Sequence, residues 1–459
     1  MAAVLPEKAP SGPSDFCQLD REARDTANRR DRRSAKVANG HRIRGACPLA
    51  SGVTSRPRQS SKRPNKVAAP APVPAQTRLD CFAAVAPGLE ALALAEAQAL
   101  GLPVKAEEGG IGWTGDLRTV VAANVGLRIA SRVLVRIAQF DARSFIELER
   151  WGRRIPWRQI VAPGTTVRFR VTCKKSKLYH SDAVAQRLAD AAMWAVPGVH
   201  AEGGSIGEDE PQGDEGAALF VVRFHRDRCT VSADASGELL HRRSYRQATA
   251  KAPLRETLAA ALLAASEWDG VAPLVDPLCG SGTIPIEGAL LARRIPPGVN
   301  RSFAVERWPG VTAELVAAVR AEQAAGRLDS APGPIVASDR DAGAIESASA
   351  NAERAGVGAD LDLAVHAVSG MRLPAGGTGW IVTNPPYGVR VGESGRVRDL
   401  WAQLGHVLRQ RAPGWRLTLL SPDPALERQL QIPLRVVSRT VNGGIPARIV
   451  SGLVPSAES

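Results

Sequence analysis

Residues 271–292 read VAPLVDPLCGSGTIPIEGALLA, and this stretch decides the fold. Its apolar beginning predicts a short buried strand that ends at Asp276. A turn with Gly280 and Gly282 follows, and the apolar run after it, interrupted by small residues, predicts a helix packed on a sheet. A strand, a glycine turn and a helix form the first unit of a doubly wound α/β domain, which binds ligands at the carboxyl ends of its strands. The glycines let the backbone approach a ligand closely, and the start of the helix offers unpaired N–H groups.

A second motif lies in residues 379–390, which read GWIVTNPPYGVR. Another short apolar run predicts a strand, and the predicted catalytic residues follow it directly: Asn384, Pro385, Pro386 and Tyr387. The two prolines hold the chain extended and donate no backbone hydrogen bond, so Asn384 and the local carbonyls can accept bonds from a ligand. An amino group on a flat ring fits this site: its N–H groups would bond Asn384 Oδ1 and the Pro385 carbonyl, and its ring would stack on Tyr387. A rigid turn around a buried tyrosine is the structural alternative.

An acidic residue ends each of the first two predicted strands, Asp276 and, about 60 residues later, Asp339. A carboxylate at the end of the second strand can accept both ribose hydroxyls of NAD or of S-adenosylmethionine. The glycine turn favours S-adenosylmethionine, because it has neither the third glycine of the dinucleotide fingerprint nor the lysine of a phosphate loop. The predicted cofactor-binding turn comprises Cys279, Gly280, Ser281, Gly282 and Thr283. A glycine turn that serves packing alone would have the same pattern.

The chain carries more positive than negative charge, and the excess is unevenly placed. Over 459 residues the net charge is +13 and the pI is about 10.0, which favours an anionic partner, usually a nucleic acid. Residues 1–77 hold 15 Lys/Arg against 6 Asp/Glu, so +9 of the +13 lies there and +4 in the rest. A basic tail on an ordinary enzyme is the alternative interpretation.

Cysteine use and hydropathy exclude several classes of protein. The six cysteines are scattered without a CxxC pair, which argues against a zinc site and a disulfide framework and suits a reducing cytoplasm. No apolar run approaches the roughly 20 residues that span a bilayer, and no signal-peptide core is present at the N-terminus. We therefore expect a cytoplasmic protein without metal or membrane contacts, and the oligomeric state stays open.

Composition and periodicity divide the chain into three parts. Residues 1–77 are rich in Arg, Ser, Pro and Ala, and we expect a disordered basic tail and linker. They are interpreted either as a tail that attracts RNA or as sequence upstream of the true start. Residues 78–248 alternate short strands and helices and form an α+β module that includes a strand pair closed by a turn at 234–237. Residues 249–459 form the doubly wound α/β domain, which ends in an antiparallel strand pair joined at Asn442-Gly443-Gly444.

Two basic segments of the α+β module are candidates for RNA contact. The first comprises Lys174, Lys175, Lys177, Tyr179 and His180, in which the aromatic rings add stacking capacity to the charge. The second precedes the α/β domain and comprises His241, Arg242, Arg243 and Arg246. Charge runs are commonly solvated loops, and that is the alternative for both segments.

The motifs together are similar to a known family. DPLCGSGT followed by NPPYG resembles the class I methyltransferases that act on amino nitrogens. CKKSKLYHS, SGELLHRRSYR and APLRETLAAAL resemble segments of the THUMP-containing guanine-N2 methyltransferases of ribosomal RNA, with the related tRNA enzymes next. The resemblance covers about residues 79–455. It implies a ferredoxin-like segment and a THUMP module that bind RNA, followed by a Rossmann-like catalytic domain that uses S-adenosylmethionine.

This chain departs from the family pattern at two positions. The family usually has glycine between Arg and Tyr where this chain has Ser244. The family's third strand normally ends in an aspartate that meets the adenine amine of the cofactor, and here Ser369 stands in its place as a weaker acceptor.

The leading hypothesis is methylation of the exocyclic N2 amine of a guanine in 23S ribosomal RNA. A tRNA guanine-N2 methyltransferase is the first alternative, and a DNA amino-methyltransferase is the second, because NPPY serves such enzymes too. A non-catalytic RNA-binding assembly protein is the third. The intact Asn384–Tyr387 motif argues against it and Ser369 favours it.

Overall fold

The computed structural model describes residues 78–207, 216–247, 254–387 and 394–456. All residues that the structure describes belong to one compact unit. The tail predicted for 1–77 therefore lies outside the described residues, as does the boundary predicted between 248 and 249.

The first sheet has eight strands in the order β2-β3-β1-β4-β8-β7-β5-β6. Its strands are β1 (Leu79–Ala84), β2 (Lys105–Glu107), β3 (Gly110–Gly115), β4 (Arg132–Asp141), β5 (Thr166–Lys174), β6 (His200–Ser205), β7 (Ala218–His225) and β8 (Arg228–Asp234). Its helices are α1 (Glu90–Ala99), α2 (Leu117–Gly126), α3 (Phe145–Gly152) and α4 (Ser181–Ala195). The predicted α+β module thus forms one mixed sheet, in which the ferredoxin-like strands join the later ones through antiparallel pairing of β4 with β8.

Alternation of apolar and polar residues explains how β5 lies in this sheet. Val167 and Phe169 are fully buried on one face and Val171 nearly so, whereas the residues between them are partly exposed. The strand pair predicted nearby exists as β7 and β8, but the predicted turn at 234–237 is wrong. The turn lies at Arg226 and Asp227, which both have positive φ (52° and 65°), as two-residue hairpins require.

The second sheet has seven strands in the order β11-β10-β9-β12-β13-β15-β14. Its strands are β9 (Leu274–Asp276), β10 (Ile335–Asp339), β11 (Leu361–Val365), β12 (Trp380–Thr383), β13 (Arg416–Ser421), β14 (Arg435–Asn442) and β15 (Ile445–Leu453). Its helices are α5 (Glu256–Ser266), α6 (Thr283–Ala292), α7 (Ala313–Ala324), α8 (Ala342–Ala355), α9 (Ser394–Arg411) and α10 (Pro424–Leu430). The α/β fold class and the closing antiparallel pair are confirmed, with β15 inserted between β13 and β14.

The strand order places β9 at the centre of the parallel part of this sheet. It pairs in parallel with β10 on one side and with β12 on the other. All three residues of β9 are buried, as expected for a strand covered on both faces. The chain passes from β10 and β11 back across β9 to β12, so the sheet has its topological switch point at the carboxyl ends of β9, β10 and β12, where a ligand is expected.

Candidate active site

The carboxyl ends of β9, β10 and β12 bring together side chains that are up to 108 positions apart in sequence, from Asp276 to Asn384. Asp276 is the last residue of β9 and Asp339 the last of β10, while Asn384 directly follows β12. Both predicted motifs therefore lie at one edge of the sheet, as the sequence predicts.

The glycine turn is held directly on the end of β10. The Gly280 N–H donates to Asp339 Oδ2 at 3.0 Å, and the Cys279 N–H donates to the Ser338 carbonyl at 3.0 Å. Gly280 has φ +53°, and a Cβ built on it would meet nothing within 4 Å. The backbone at Gly280 thus faces open space, which a side chain would enter.

Gly282 is needed for a different reason. Its φ is +83°, and a Cβ there would lie 2.9 Å from Ala348 Cβ on α8. Its neighbours in the turn, Ser281 and Thr283, are buried, and Asn351 Nδ2 donates to the Ser281 carbonyl at 3.1 Å. Gly282 and Ser281 therefore fix the turn to α8, whereas Gly280 forms its open side.

Asp276 is a buried carboxyl, with 2% of its surface exposed. The Thr383 hydroxyl donates to its Oδ1 at 2.7 Å and the Leu278 N–H at 3.2 Å. Burial raises the pKa of Asp276 to about 7, against the lowering effect of these two hydrogen bonds. The carboxyl at the centre of the site is therefore near the midpoint of its titration at neutral pH.

In the Asn384–Tyr387 segment, Pro386 and Tyr387 are fixed by hydrogen bonds, whereas Asn384 has an unpaired acceptor. Trp401 Nε1 donates to the Pro386 carbonyl at 3.0 Å, and Asn442 Nδ2 donates to the Tyr387 hydroxyl at 2.5 Å. Burial raises the pKa of Tyr387. The expectation that all local carbonyls are free is wrong for Pro386, whose carbonyl binds the buried indole of α9.

Asn384 Oδ1 is buried, and no donor in the part of the chain that the structure describes lies within hydrogen-bonding distance of it. A buried acceptor without a partner is costly and rare, and such groups commonly mark a ligand site. A cofactor would occupy the open space at Gly280, and an acceptor amine would donate a hydrogen bond to this unpaired oxygen. The residues present thus fit S-adenosylmethionine.

Ser369 lies in the 3₁₀ turn Val368–Gly370, after β11, where its side chain is exposed. The turn follows the strand next to β10, so Ser369 remains a predicted cofactor contact. Cys279 is buried, and burial raises the pKa of its thiol well above the ordinary value, so the thiol stays protonated.

The first basic segment forms an exposed loop between β5 and α4. Lys174, Lys175 and Lys177 are exposed, and the Lys177 N–H is held by Asp227 Oδ1 at 2.7 Å. Tyr179 is 68% exposed, and its ring centroid lies 4.1 Å from that of His180. The structure thus leaves these charges and rings available to a partner.

In the second basic segment Arg243 is buried, His241 and Arg246 are partly buried, and Arg242 is exposed. Arg243 Nη1 donates to Glu287 Oε2 at 2.6 Å, and both side chains are inaccessible, so the prediction that this arginine contacts RNA is wrong. Arg246 pairs with the buried Glu256 at 2.8 Å. Burial beside several arginines lowers the pKa of His241 to about 4, so its imidazole is neutral at pH 7. Arg242 remains exposed, next to Glu238.

Ser244, the first departure from the family pattern, has φ +66°. The left-handed region favours glycine, which explains the family's preference at this position. The following residue, Tyr245, is buried, and its hydroxyl donates to Glu287 Oε1 at 3.0 Å. The strained residue therefore turns Arg243 and Tyr245 toward the same carboxylate on α6.

Sequence reasoning missed the residues that support the site. Thr383 donates a hydrogen bond to Asp276 and so links the two motifs, while Trp401 donates to the Pro386 carbonyl. Asn442 donates to the Tyr387 hydroxyl from the last hairpin. Asn351 joins Ser281 to Arg354, which also donates to the Tyr245 carbonyl at 2.7 Å. No local pattern marks them, although the spacing of Asn351 and Arg354 places both on one side of a helix.

The class of protein follows from this fold and site, and comparisons with known proteins agree with it. The sheet order, the glycine turn and the Asn384–Tyr387 rim define a class I S-adenosylmethionine-dependent methyltransferase. The family model described as the RMKL-like methyltransferase domain matches residues 243–445, and the one described as the RlmL ferredoxin-like domain matches 80–134.

Two curated relatives show the same relationship over most of the chain. The "Putative RNA methyltransferase slr0064" of Synechocystis is 32% identical over 371 residues, which are 80% of this chain and 95% of that protein. The "Ribosomal RNA large subunit methyltransferase K/L" of Syntrophotalea carbinolica is 34% identical over 383 residues, which are 81% of this chain and 53% of that protein. The chain belongs to the RMKL-like methyltransferase family, and it spans about half the length of the K/L relatives that it matches.

Two solved structures have the same fold. One is named a "predicted N6-adenine-specific DNA methylase" from Listeria monocytogenes, with a TM-score of 0.73 and 30% identity over 83% of this chain and 97% of that one. The other is "SMU.472, a putative methyltransferase complexed with SAH", with a TM-score of 0.72 and 27% identity over 82% and 98%. The predictions of a methyltransferase and of S-adenosylmethionine as its cofactor are thus confirmed.

Residues 78–207, 216–247, 254–387 and 394–456 contain neither a metal-binding cluster nor a membrane-spanning helix. In these ranges no cluster of three or more His, Cys, Asp and Glu side chains could hold a metal ion. None of the helices there is both long enough and apolar enough to cross a membrane.

Proposed function

We propose that this chain methylates the exocyclic N2 amine of a guanine in RNA, with 23S ribosomal RNA as the favoured substrate. The main support for the proposal is the unpaired Asn384 Oδ1. This oxygen is a buried acceptor beside the proposed cofactor site, and an N–H donor of a substrate would satisfy it. The names of the K/L relatives support ribosomal RNA as the substrate class. A reducing, cytoplasmic setting belongs to the proposal, and the free thiols of Cys81, Cys173, Cys229 and Cys279 suit it.

The residues that would hold the cofactor lie at the ends of β9 and β10. Asp339 has acceptor capacity beyond its bonds to Gly280 and Asp341, so it can take ribose hydroxyls. Asp276 can take an ammonium group when it is ionised. When bound, S-adenosylmethionine supplies an electrophilic methyl group on a sulfonium centre.

The chain's own contribution to the reaction is positioning. The lone pair of an exocyclic amine is delocalised into the ring, which makes the amine a weak nucleophile. When Asn384 Oδ1 accepts one N–H and the Pro385 carbonyl the other, the amine is oriented and its lone pair becomes more available. Trp401 and Asn442 hold Pro386 and Tyr387 in place, so the rim is organised before the base arrives.

Tyr387 would stack on the guanine after it leaves its helix. The bond from Asn442 fixes the tyrosine hydroxyl, which leaves the ring as the contact surface. The exposed Lys174, Lys175, Lys177, Tyr179 and His180, together with Arg242, are the proposed contacts to the surrounding RNA.

A DNA amino-methyltransferase is the second candidate, and the name given to the Listeria structure favours it. The same acceptor pair would serve adenine, so the rim does not separate the two. The match of residues 80–134 to the RlmL ferredoxin-like domain favours RNA. A tRNA substrate would keep the chemistry and change only the recognition.

The test is transfer of a labelled methyl group from S-adenosylmethionine to total RNA from cells that lack this enzyme, followed by digestion to nucleosides. We expect label in N2-methylguanosine from large-subunit ribosomal RNA and none with Asn384→Ala. Label in the tRNA fraction would overturn the ribosomal substrate and keep the guanine chemistry. A parallel reaction with DNA as the substrate tests the second candidate, and label in its N6-methyladenine with none in RNA would overturn the proposal. No label with naked RNA and precursor particles, despite measurable S-adenosylhomocysteine binding, would overturn it as well.

A further inference from the structure

Helix α3, the segment that follows it and helix α4 carry exposed arginines and an exposed tryptophan that lie outside the candidate active site. We name this region the α3–α4 surface, formed by Arg150, Arg153, Arg154, Arg158 and Trp194. Trp194 is 64% exposed, although a tryptophan usually buries most of its large apolar surface. The four arginines are exposed as well.

Three of the four arginines of this surface lie over aromatic rings, and Arg158 Nε donates to the Ala195 carbonyl at 3.0 Å. The Arg153 guanidinium carbon lies 5.5 Å from the centroid of the Trp194 ring, and that of Arg154 lies 5.1 Å from the centroid of Trp151. Arg150 lies over the same Trp151 ring at 5.7 Å, and Phe140 stacks behind it. Such contacts hold the flat guanidinium groups in place before any partner binds.

The charges of this surface are not neutralised by the chain. Among the described residues, no carboxylate lies within 4.0 Å of the guanidinium groups of Arg150, Arg153, Arg154 or Arg158. Arg187 on the same helix pair differs, because it pairs with Glu149 at 2.8 Å. The α3–α4 surface therefore presents four positive charges that an anionic partner can match.

Helix geometry connects this surface to the exposed basic loop. His180 caps the start of α4, and Arg187 and Trp194 follow at intervals of seven residues, so all three lie on nearly the same side of the helix. The 15 residues of α4 span roughly 22 Å. The two positive surfaces therefore lie at opposite ends of one helix, and a single extended strand can contact both.

We propose that the α3–α4 surface binds a single-stranded segment of the RNA substrate, with Trp194 stacked on a base and the four arginines on adjoining phosphates. This inference rests on the proposed RNA substrate. Exposed aromatic rings among unpaired cations are the features by which proteins bind single strands without reading sequence. Protein interfaces also use Trp and Arg, so these residue types alone do not distinguish the two kinds of partner. Four cations without a carboxylate partner on one surface favour an anionic polymer.

Crosslinking of the full chain to a 20-residue oligouridylate that contains 4-thiouridine tests the location. We expect RNA attached to the tryptic peptide that carries Trp194, and loss of that attachment in Arg153→Ala/Arg154→Ala. Attachment only to peptides of residues 1–77 or of the loop before α4 would overturn the proposal.

Affinity of the full chain for fluorescent oligouridylate, measured by anisotropy over a range of KCl concentrations, tests the chemistry. Trp194→Ala should weaken binding about tenfold, because the base loses its stacking partner. Trp194→Phe should restore most of the affinity, and Trp194→Leu should not. Equal affinity for Trp194→Leu and wild type would mean that the ring acts only as an apolar cover, as for a protein partner, and would overturn the proposal.

Arginine variants measure the phosphate contacts. Arg153→Ala/Arg154→Ala should lower the slope of log affinity against log salt by about 1.4, since each phosphate contact to a single strand contributes about 0.7. Arg327→Ala removes an exposed arginine from the loop after α7 and is the control, with an unchanged slope expected. An unchanged slope in the double variant would overturn the proposal.

Methyl transfer separates this proposal from the proposed function. If wild-type protein methylates RNA while the α3–α4 variants bind and react as wild type does, the surface is wrong and the function stands. If wild-type protein neither binds oligouridylate nor methylates RNA, the proposed function fails and this inference fails with it.

Discussion

The sequences of the Asn384–Tyr387 rim and of the second basic segment, which forms the linker at 241–246, both predict contact with RNA. The fold leaves an acceptor of the rim unpaired and pairs two arginines of the 241–246 linker within the chain. The rim directly follows the carboxyl end of the parallel strand β12, which lies between β9 and β13, and keeps an unpaired acceptor, Asn384 Oδ1. The linker runs between the two sheets, where Arg243 and Arg246 pair with carboxylates. A motif tied to a strand end has a position that topology fixes, whereas a run of charge has none until the chain packs around it.

The largest effect is expected at the rim. Asn384→Ala should lower kcat for methyl transfer about 10²- to 10³-fold, because the amine loses the acceptor that orients it. The free energy of unfolding should change by less than about 0.5 kcal/mol, since Oδ1 has no partner in the protein alone. Single-turnover kinetics and urea unfolding measure the two quantities. A large loss of stability would show that Asn384 is structural.

The linker is expected to behave in the opposite way. Arg243→Ala should lower the free energy of unfolding by about 3–5 kcal/mol, because it leaves the buried Glu287 without its closest cation. The salt dependence of RNA binding should not change, since this arginine cannot reach a phosphate. Urea unfolding and anisotropy titrations in KCl check both parts, and a reduced salt slope would contradict the burial of this arginine.

The two glycines of the turn sharpen the comparison within the site. Gly282→Ala should cost about 2–4 kcal/mol of stability, because its φ is positive and the new Cβ meets Ala348. Gly280→Ala should cost only about 1–2 kcal/mol, because its Cβ enters open space, yet it should weaken S-adenosylhomocysteine binding at least tenfold. Calorimetric titration and thermal unfolding separate the two effects. Equal affinity for Gly280→Ala and wild type would move the cofactor away from this turn.

Titration of Asp276 gives both the stability of the chain and its affinity for the cofactor a dependence on pH. Its folded pKa of about 7 lies above the ordinary value, so the folded chain holds a proton that the unfolded chain has lost between roughly pH 4 and pH 7. The free energy of unfolding therefore falls as the pH rises through that window. Affinity for S-adenosylhomocysteine should change in the other direction and rise about fivefold from pH 6 to pH 7, because the ligand ammonium favours the ionised carboxylate.

Asp276→Asn is the matched control for this titration. The variant has no carboxyl to ionise at this position, so the affinity should lose its dependence on pH in this range. The stability should keep the part of its pH dependence that comes from Glu256, whose pKa burial also raises to about 7. Calorimetry between pH 5.5 and pH 8 measures the affinity, and a slope that persists in the variant would assign the titration to another group.

The smallest effect is expected at the one linker arginine that stays exposed. Arg242→Ala should change the free energy of unfolding by less than about 0.5 kcal/mol, because its pair with Glu238 is exposed on both sides. Affinity for RNA should fall slightly at low salt if Arg242 is a phosphate contact. The contrast with Arg243, the adjacent residue, is measurable in one set of urea unfolding curves.

Most of the geometry of the glycine turn and of the Asn384–Tyr387 segment was predictable, and the reason is local. The residue types at Gly280, Gly282 and the two prolines determine the backbone conformations that these positions can adopt. Parallel strands then place the segments that follow them at the same edge of the sheet. The supporting contacts were not predictable, because Trp401, Asn442 and Asn351 reach the motifs from helices and strands that only packing brings near. The turn between β7 and β8 was misplaced because Arg226-Asp227 has no glycine to mark its positive φ values.

The sequence by itself determined the α/β class, the cofactor turn and the acceptor rim, because each depends on residue types within one short segment. Only the tertiary structure decided that Arg243 is buried, that Asp276 titrates near neutral pH and that Trp194 is exposed among unpaired arginines. These properties depend on how much water and opposite charge surround a side chain. Segments distant in sequence supply those surroundings, and the fold brings them together.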